Sequence, residues 1–205
     1  MSHPMAIRET LEDAVNPVNT ALLVIDVQND LCQQDCQAML PRLQRLLNAS
    51  RETGVFSVYI QNTMLLDGSS QSPAEIARRK KWGMRPQVTV DGTRGQCIVD
   101  QIAPRPTDPI VRKHRMSAFH GTSLDLLLRN RGIETVVCSG VATQGCVLNT
   151  AYSALARDYY VVVVEDCVSS GKQELHELSL ILMGKIFHYL VNSDQIIRIW
   201  QSKRP

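Results

Sequence analysis

Thr135-Val136-Val137-Cys138-Ser139-Gly140-Val141, then Ala142-Thr143-Gln144-Gly145, then Cys146-Val147-Leu148-Asn149-Thr150-Ala151-Tyr152-Ser153-Ala154-Leu155-Ala156-Arg157 reads as a strand, a tight connection and a helix. The first run is mostly apolar and rich in valine, as expected of a strand buried on both faces. In the last run Val147, Thr150, Ala151 and Ala154 fall on one helical face, and their small size lets the helix pack closely on a sheet. Cys146 stands at the junction. A cysteine in the first turn of a helix meets unpaired backbone N–H groups and the positive end of the macrodipole, which favour thiolate over thiol. The usual fate of a cysteine is structural burial; this position points instead to a nucleophile, with the small residues before it bringing backbone N–H groups near a substrate carbonyl.

Working outward, residues 21–27, 55–61, 110–112, 160–164 and 195–200 read as further strands rich in Val and Ile. Between them lie helical patterns at residues 38–53, ending at Gly54, at 123–131, ending at Gly132, and at 173–190. Strand alternating with helix gives an α/β fold, a parallel sheet covered on both sides. Residues 67–96 break the rhythm with Gly68-Ser69-Ser70, Pro73, Arg78-Arg79-Lys80-Lys81, Trp82 and Asp91-Gly92. We read them as a long excursion over the sheet edge, a lid or oligomer contact, with Trp82 either a pocket wall or packed on the domain rim. The four basic residues read as a solvated face.

With 205 residues, 44% of them hydrophobic, the chain fits one domain, residues 1–205, with a sizeable core. Lys+Arg 22 against Asp+Glu 20 is too balanced for a protein whose affinity comes from neutralising phosphates, so nucleic acid is not an expected partner. The first ten residues lack a signal-peptide core and no apolar stretch is long enough to span a bilayer; neither membrane nor secretion is expected, and the location expected is cytoplasmic. The six cysteines lack zinc-ribbon and CxxC spacing and read as reduced thiols; Cys32 and Cys36 share a helical face but have no second ligand pair.

In an open parallel sheet ligands bind at the carboxyl ends of the strands. Asp26 interrupts Leu22-Leu23-Val24-Ile25, Lys113 follows Ile110-Val111-Arg112, and Cys146 follows the fourth strand. A carboxylate inside a buried run is costly unless paired, so Asp26 is either a structural ion pair or a working group. With Cys146 it makes an activated nucleophile: Lys113 stabilises the thiolate, and Asp26 accepts and returns a proton.

Asp26-Val27-Gln28-Asn29-Asp30, Lys113-His114-Arg115-Met116-Ser117-Ala118-Phe119 and Gly140-Val141-Ala142-Thr143-Gln144-Gly145-Cys146-Val147 resemble, in this order and spacing, the three signatures of the isochorismatase-like cysteine hydrolases. The resemblance runs from about Thr20 to Ser170. It implies a three-layer sandwich with a six-stranded parallel sheet, an Asp26-Lys113-Cys146 triad, and a homodimer or homotetramer. It also implies a non-proline cis peptide before Ala142, which aims the Ala142 N–H, with that of Cys146, into an oxyanion hole. Nicotinamidase-type members carry an Asp-x-His metal site after the second strand; here the sequence is Tyr59-Ile60-Gln61-Asn62-Thr63-Met64, so no metal and no cofactor are expected. Members that cleave a vinyl ether typically lack the nucleophilic cysteine, so Cys146 argues for C–N cleavage. Gln61-Asn62 and residues 131–135 look most like the ureide and carbamoyl-amide branch.

The expected activity is therefore hydrolysis of a small amide, ureide or N-carbamoyl compound. Gln61, Asn62, Trp82, Phe119 and Gln144 are the expected pocket walls, amides to orient a carbamoyl group and aromatics to exclude water. Three other readings compete. A Cys-His dyad would use His114 or His120, although strand alternation turns Lys113 and His114 to opposite sides. A binding or regulatory protein would keep the fold without turnover. A metalloenzyme would need ligand spacing that the histidines and cysteines do not have.

Overall fold

The computed structural model describes residues 7–203; part of the N-terminal reading, residues 1–6, lies outside them. A short helix α1 (Leu11–Ala14) leads into β1 (Thr20–Ile25), followed by α2 (Leu40–Glu52), β2 (Phe56–Asn62), α3 (Pro73–Lys81), β3 (Ile110–Lys113) and α4 (Leu124–Asn130). The second half runs β4 (Thr135–Val141), α5 (Leu148–Leu155), β5 (Tyr160–Ser169), α6 (Gln173–Ile186), β6 (Tyr189–Val191) and α7 (Ser193–Ser202). The sheet has six strands in the order β3-β2-β1-β4-β5-β6, all parallel.

Strand alternation divides the core into two layers. Leu22, Val24, Tyr59, Val137 and Val162 point to the side covered by α2 and α7, where Leu43, Leu47, Ile196 and Trp200 meet them. Leu23, Ile25, Val58, Val136 and Val161 point to the side covered by α4, α5 and α6, against Leu124, Ala151, Ala154 and Met183. Thr150, Ala151 and Ala154 are buried on α5 as their spacing predicts. All six cysteines are free. Among the described residues no helix is long and apolar enough to cross a membrane.

The last strand and helix differ from the sequence expectation. Residues 195–200 form the middle of α7, and the sixth strand is the three-residue β6 just upstream, overlapping the end of the pattern read as helix to residue 190. Ile-Ile-Arg-Ile-Trp favours a strand by residue type, but the chain is committed earlier. The Asn192 side chain accepts from the Gln195 N–H, and the Gln195 side chain accepts from the Asn192 N–H, a reciprocal cap that starts a helix. Ile196, Ile199 and Trp200 then share one buried face, and Trp200 donates through Nε1 to the Val15 carbonyl at 3.0 Å. Burying a side chain of that size contributes about 3 kcal/mol, more than strand propensity offers.

The excursion also holds an element that its composition concealed. Ser72 caps α3 by accepting from the Glu75 N–H, with Pro73 in the first turn, so a helix crosses the middle of residues 67–96. Its ends are tied to the body by the first signature. Gln28 donates to the carbonyls of Asn62 and Gln96 and accepts from the Asn62 N–H, and Asp30 accepts from the Thr89 N–H at 2.7 Å.

Candidate active site

The chain builds β1, β2 and β3 toward one edge, then returns to place β4 on the other side of β1. The carboxyl ends of β1 and β4 therefore diverge at a topological switch point, where such sheets open a crevice. Gly140 lets the two strands come together there. It pairs with Ile25 in register at φ 112°, and a Cβ at this position would stand 2.0 Å from the Ile25 carbonyl oxygen. Asp26 follows at once with φ 54°, a left-handed backbone that aspartate tolerates better than most residues.

Lys113 ends β3, with β2 between it and β1, so its side chain has to cross the end of β2 to reach the crevice. Its Nζ lies 2.7 Å from Asp26 Oδ2, both side chains fully buried, and donates to Cys146 Sγ at 3.2 Å and to the Arg115 carbonyl at 3.0 Å. Three residues placed by three strands thus meet around one ammonium. Burial pushes the Asp26 carboxyl above its ordinary range despite Lys113. Burial alone would lower Lys113, but Asp26 and Cys146 together hold it above its usual value.

Cys146 differs in two respects from the expectation of a thiolate in the first turn of a helix. It sits in a wide π-type turn, Thr143–Val147, kinked at Gly145 (φ −107°, ψ −107°), and α5 begins only at Leu148. Its thiol is pushed up to about 12 by the surrounding protein and by Asp26, against the pull of Lys113. The group this favours at rest is a thiol, set beside the Asp26 carboxyl and the Lys113 ammonium. The Val141–Ala142 peptide is cis.

These groups open on a cavity of about 230 Å³. Asn62, Trp82 and Gln144 line it, as do Asp26, Ala142 and Cys146. The Gln144 Oε1 is buried without a hydrogen-bond partner. Gln61 and Phe119 stand elsewhere. Gln61 alternates with Asn62 along β2 and donates to the Gln96 carbonyl, while Phe119 is buried in the core against Tyr159. His114 does line the cavity, contrary to the alternation argument: β3 stops at Lys113, so strand geometry does not carry to the next residue. Its Nδ1 is engaged by the Thr63 carbonyl at 2.7 Å, and His120 is exposed.

The excursion supplies the facing wall through Gln71, Glu75, Arg78, Arg79, Trp82 and Met84. The basic run is not one solvated face. Lys80 and Lys81 are exposed, whereas Arg78 is half-buried on Glu75 and Arg79 is buried. The Ser72-Pro73-Ala74-Glu75 start was the sequence signal for this helix; which of its faces turns inward had none.

A model of the isochorismatase domain matches residues 20–195. The chain belongs to the isochorismatase family. Over 214 aligned residues it is 28% identical to the ureidoacrylate amidohydrolase RutB of Agrobacterium fabrum, covering 93% of this chain and 94% of that protein. Among solved structures it resembles a cysteine hydrolase from Pseudomonas syringae pv. phaseolicola, with TM-score 0.84, 25% identity and coverage of 92% and 95%. It also resembles the N-carbamoylsarcosine amidase of Thermoplasma acidophilum, with TM-score 0.70, 27% identity and coverage of 85% and 96%. The protein is an isochorismatase-family hydrolase with amidohydrolases among its relatives.

Proposed function

We propose that this isochorismatase-family protein is a cofactor-free cysteine amidohydrolase that cleaves a C–N bond of a small amide, ureide or N-carbamoyl compound. The observation that carries the reading is the contact of one buried ammonium, Lys113, with both Asp26 and Cys146 on the floor of a small-molecule cavity. Cys146 Sγ attacks the carbonyl carbon while its proton passes to Asp26. A C–S bond forms, and the resulting oxyanion is held by the backbone N–H groups of Ala142 and Cys146. The C–N bond then breaks as Asp26 protonates the leaving nitrogen, which departs as ammonia or an amine. Water gives a proton to Asp26 and attacks the thioester or thiocarbamate; the C–S bond breaks and the thiol is reprotonated. Lys113 remains a cation, neutralising whichever of the carboxylate and the sulfur carries the charge. Asn62 and Gln144 orient the carbamoyl group, Gln144 through an Oε1 free to accept a substrate N–H. The same reading holds the chain to be one domain that assembles as a dimer or tetramer, which sedimentation tests.

Ammonia release from a panel of carbamoyl, ureido and simple amide compounds, with mass spectrometry of the quenched protein, tests the chemistry. We expect turnover and a substrate-derived adduct on Cys146 in the wild type, and neither in Cys146→Ser. Retained turnover in folded Cys146→Ser would end the covalent mechanism.

A further inference from the structure

The wall facing Cys146 carries more positive charge than the protein itself balances. Arg78, Arg79 and Arg115 all act electrostatically on a single carboxylate, Glu75, and all four side chains line the cavity. Glu75 is taken by Arg78, which grips both of its oxygens. Two guanidiniums are left over. Among the described residues, Arg115 donates only to the carbonyls of Ser70 and His114. Arg79 is 6% exposed, makes contacts of 3.3 and 3.4 Å to the Gln71 side-chain oxygen and the Arg85 carbonyl, and leaves its Nε without any partner. Among the described residues neither has a carboxylate within ion-pair distance. Burial and the neighbouring Arg78 both disfavour the charge on Arg79, which Glu75 only partly offsets.

A buried guanidinium is normally matched by an anion, because its desolvation is otherwise uncompensated. Its planar fork suits a carboxylate in particular. Resting on the amidohydrolase reading of the same cavity, we propose that Arg79, assisted by Arg115, is a specificity-determining residue that binds a carboxylate on the substrate, remote from the scissile carbonyl. The substrate is then an anionic ureido or amido acid, held at one end by α3 and attacked at the other by Cys146. Arg78, already engaged by Glu75, buttresses that end of the cavity.

Two measurements separate this inference from the reaction it rests on. The first needs no turnover: the rate of Cys146 alkylation by iodoacetamide, with and without millimolar butyrate, a carboxylate lacking a scissile bond. Butyrate is expected to slow alkylation at least fivefold in the wild type. Protection is lost in Arg79→Gln, partly regained in Arg79→Lys, and weakened in Arg115→Gln, which perturbs a less buried side chain should Arg79→Gln misfold. The second compares kcat/KM for 3-ureidopropionate and its methyl ester. The acid is preferred by about 10- to 100-fold, the range of a charge-assisted hydrogen bond, and the preference collapses in Arg79→Gln mainly through KM. Alkylation indifferent to butyrate, or an ester cleaved as well as the acid, overturns the carboxylate site and leaves amide hydrolysis standing. Arg79-dependent protection with no turnover of any amide supports the site and ends the amidohydrolase reading.

Discussion

The floor and the wall of the cavity treat charge in opposite ways. On the floor, Asp26 and Lys113 are both fully buried and paired at 2.7 Å, so each buried charge has an opposite charge in contact before any ligand arrives. On the wall, Arg79 is nearly as buried, and among the described residues no carboxylate lies within ion-pair distance of it. On the mechanism and the carboxylate site proposed above, the balanced floor serves the bond cleavage and the unbalanced wall selects the substrate. The supporting structure divides the same way: the floor stands on three adjoining parallel strands and a fourth beside them, the wall on one nine-residue helix and its flanking loops.

The harshest way to break the floor is to leave one of its charges alone. Lys113→Met should lower turnover by about 10³-fold or more. It should also cost about 3 kcal/mol of stability, because the Asp26 carboxylate loses its partner in a buried site. Adding Asp26→Asn should restore most of the melting temperature and none of the ammonia release, showing that the pair's structural and chemical roles separate. Gly140→Ala attacks the same floor through the backbone. Its Cβ has no room beside the Ile25 carbonyl and the residue sits at positive φ, so thermal unfolding should show a loss of about 3 kcal/mol, with activity falling as the strand ends part.

A milder probe is pH. Burial raises the Asp26 carboxyl above the ordinary 3.8, and in the proposed mechanism Asp26 is a base that works only when ionised. As pH falls through that raised value, kcat/KM should drop about tenfold per unit, with the acid limb above the ordinary aspartate range. An acid limb at or below the ordinary range would show that Asp26 is not the base. Smallest of all, Asn192→Ala removes the α7 cap far from both surfaces. It should lower stability by about 1 kcal/mol in denaturant titration and leave turnover unchanged, the control for effects that travel only through the fold.

The floor was legible in the sequence and the wall was not, for a physical reason. Strands buried on both faces are uninterrupted apolar runs, so a charged residue at the end of one, such as Asp26 or Lys113, stands out and its position is fixed by the sheet. A polar excursion has no such background. The Ser72-Pro73-Ala74-Glu75 start marks α3, but nothing local says that Arg79 faces inward while Lys80 faces water. Gln61 and Phe119 were misplaced because a residue type suited to a pocket is equally suited to a core. Residues 195–200 show the converse error: strand-like composition was overruled by a cap at Asn192, four residues upstream of Ile-Ile-Arg-Ile-Trp.

The Gln28 side chain bridges Asn62, where the excursion departs, and Gln96, where it rejoins the body. The two ends of the excursion are therefore pinned by a residue two positions from Asp26, whatever the length or sequence of the chain between them. Such a loop behaves as a cassette: its interior can be lengthened, shortened or replaced in the course of evolution or by grafting while its endpoints stay put. One amide thereby lets the facing wall vary without moving the strand ends beneath it.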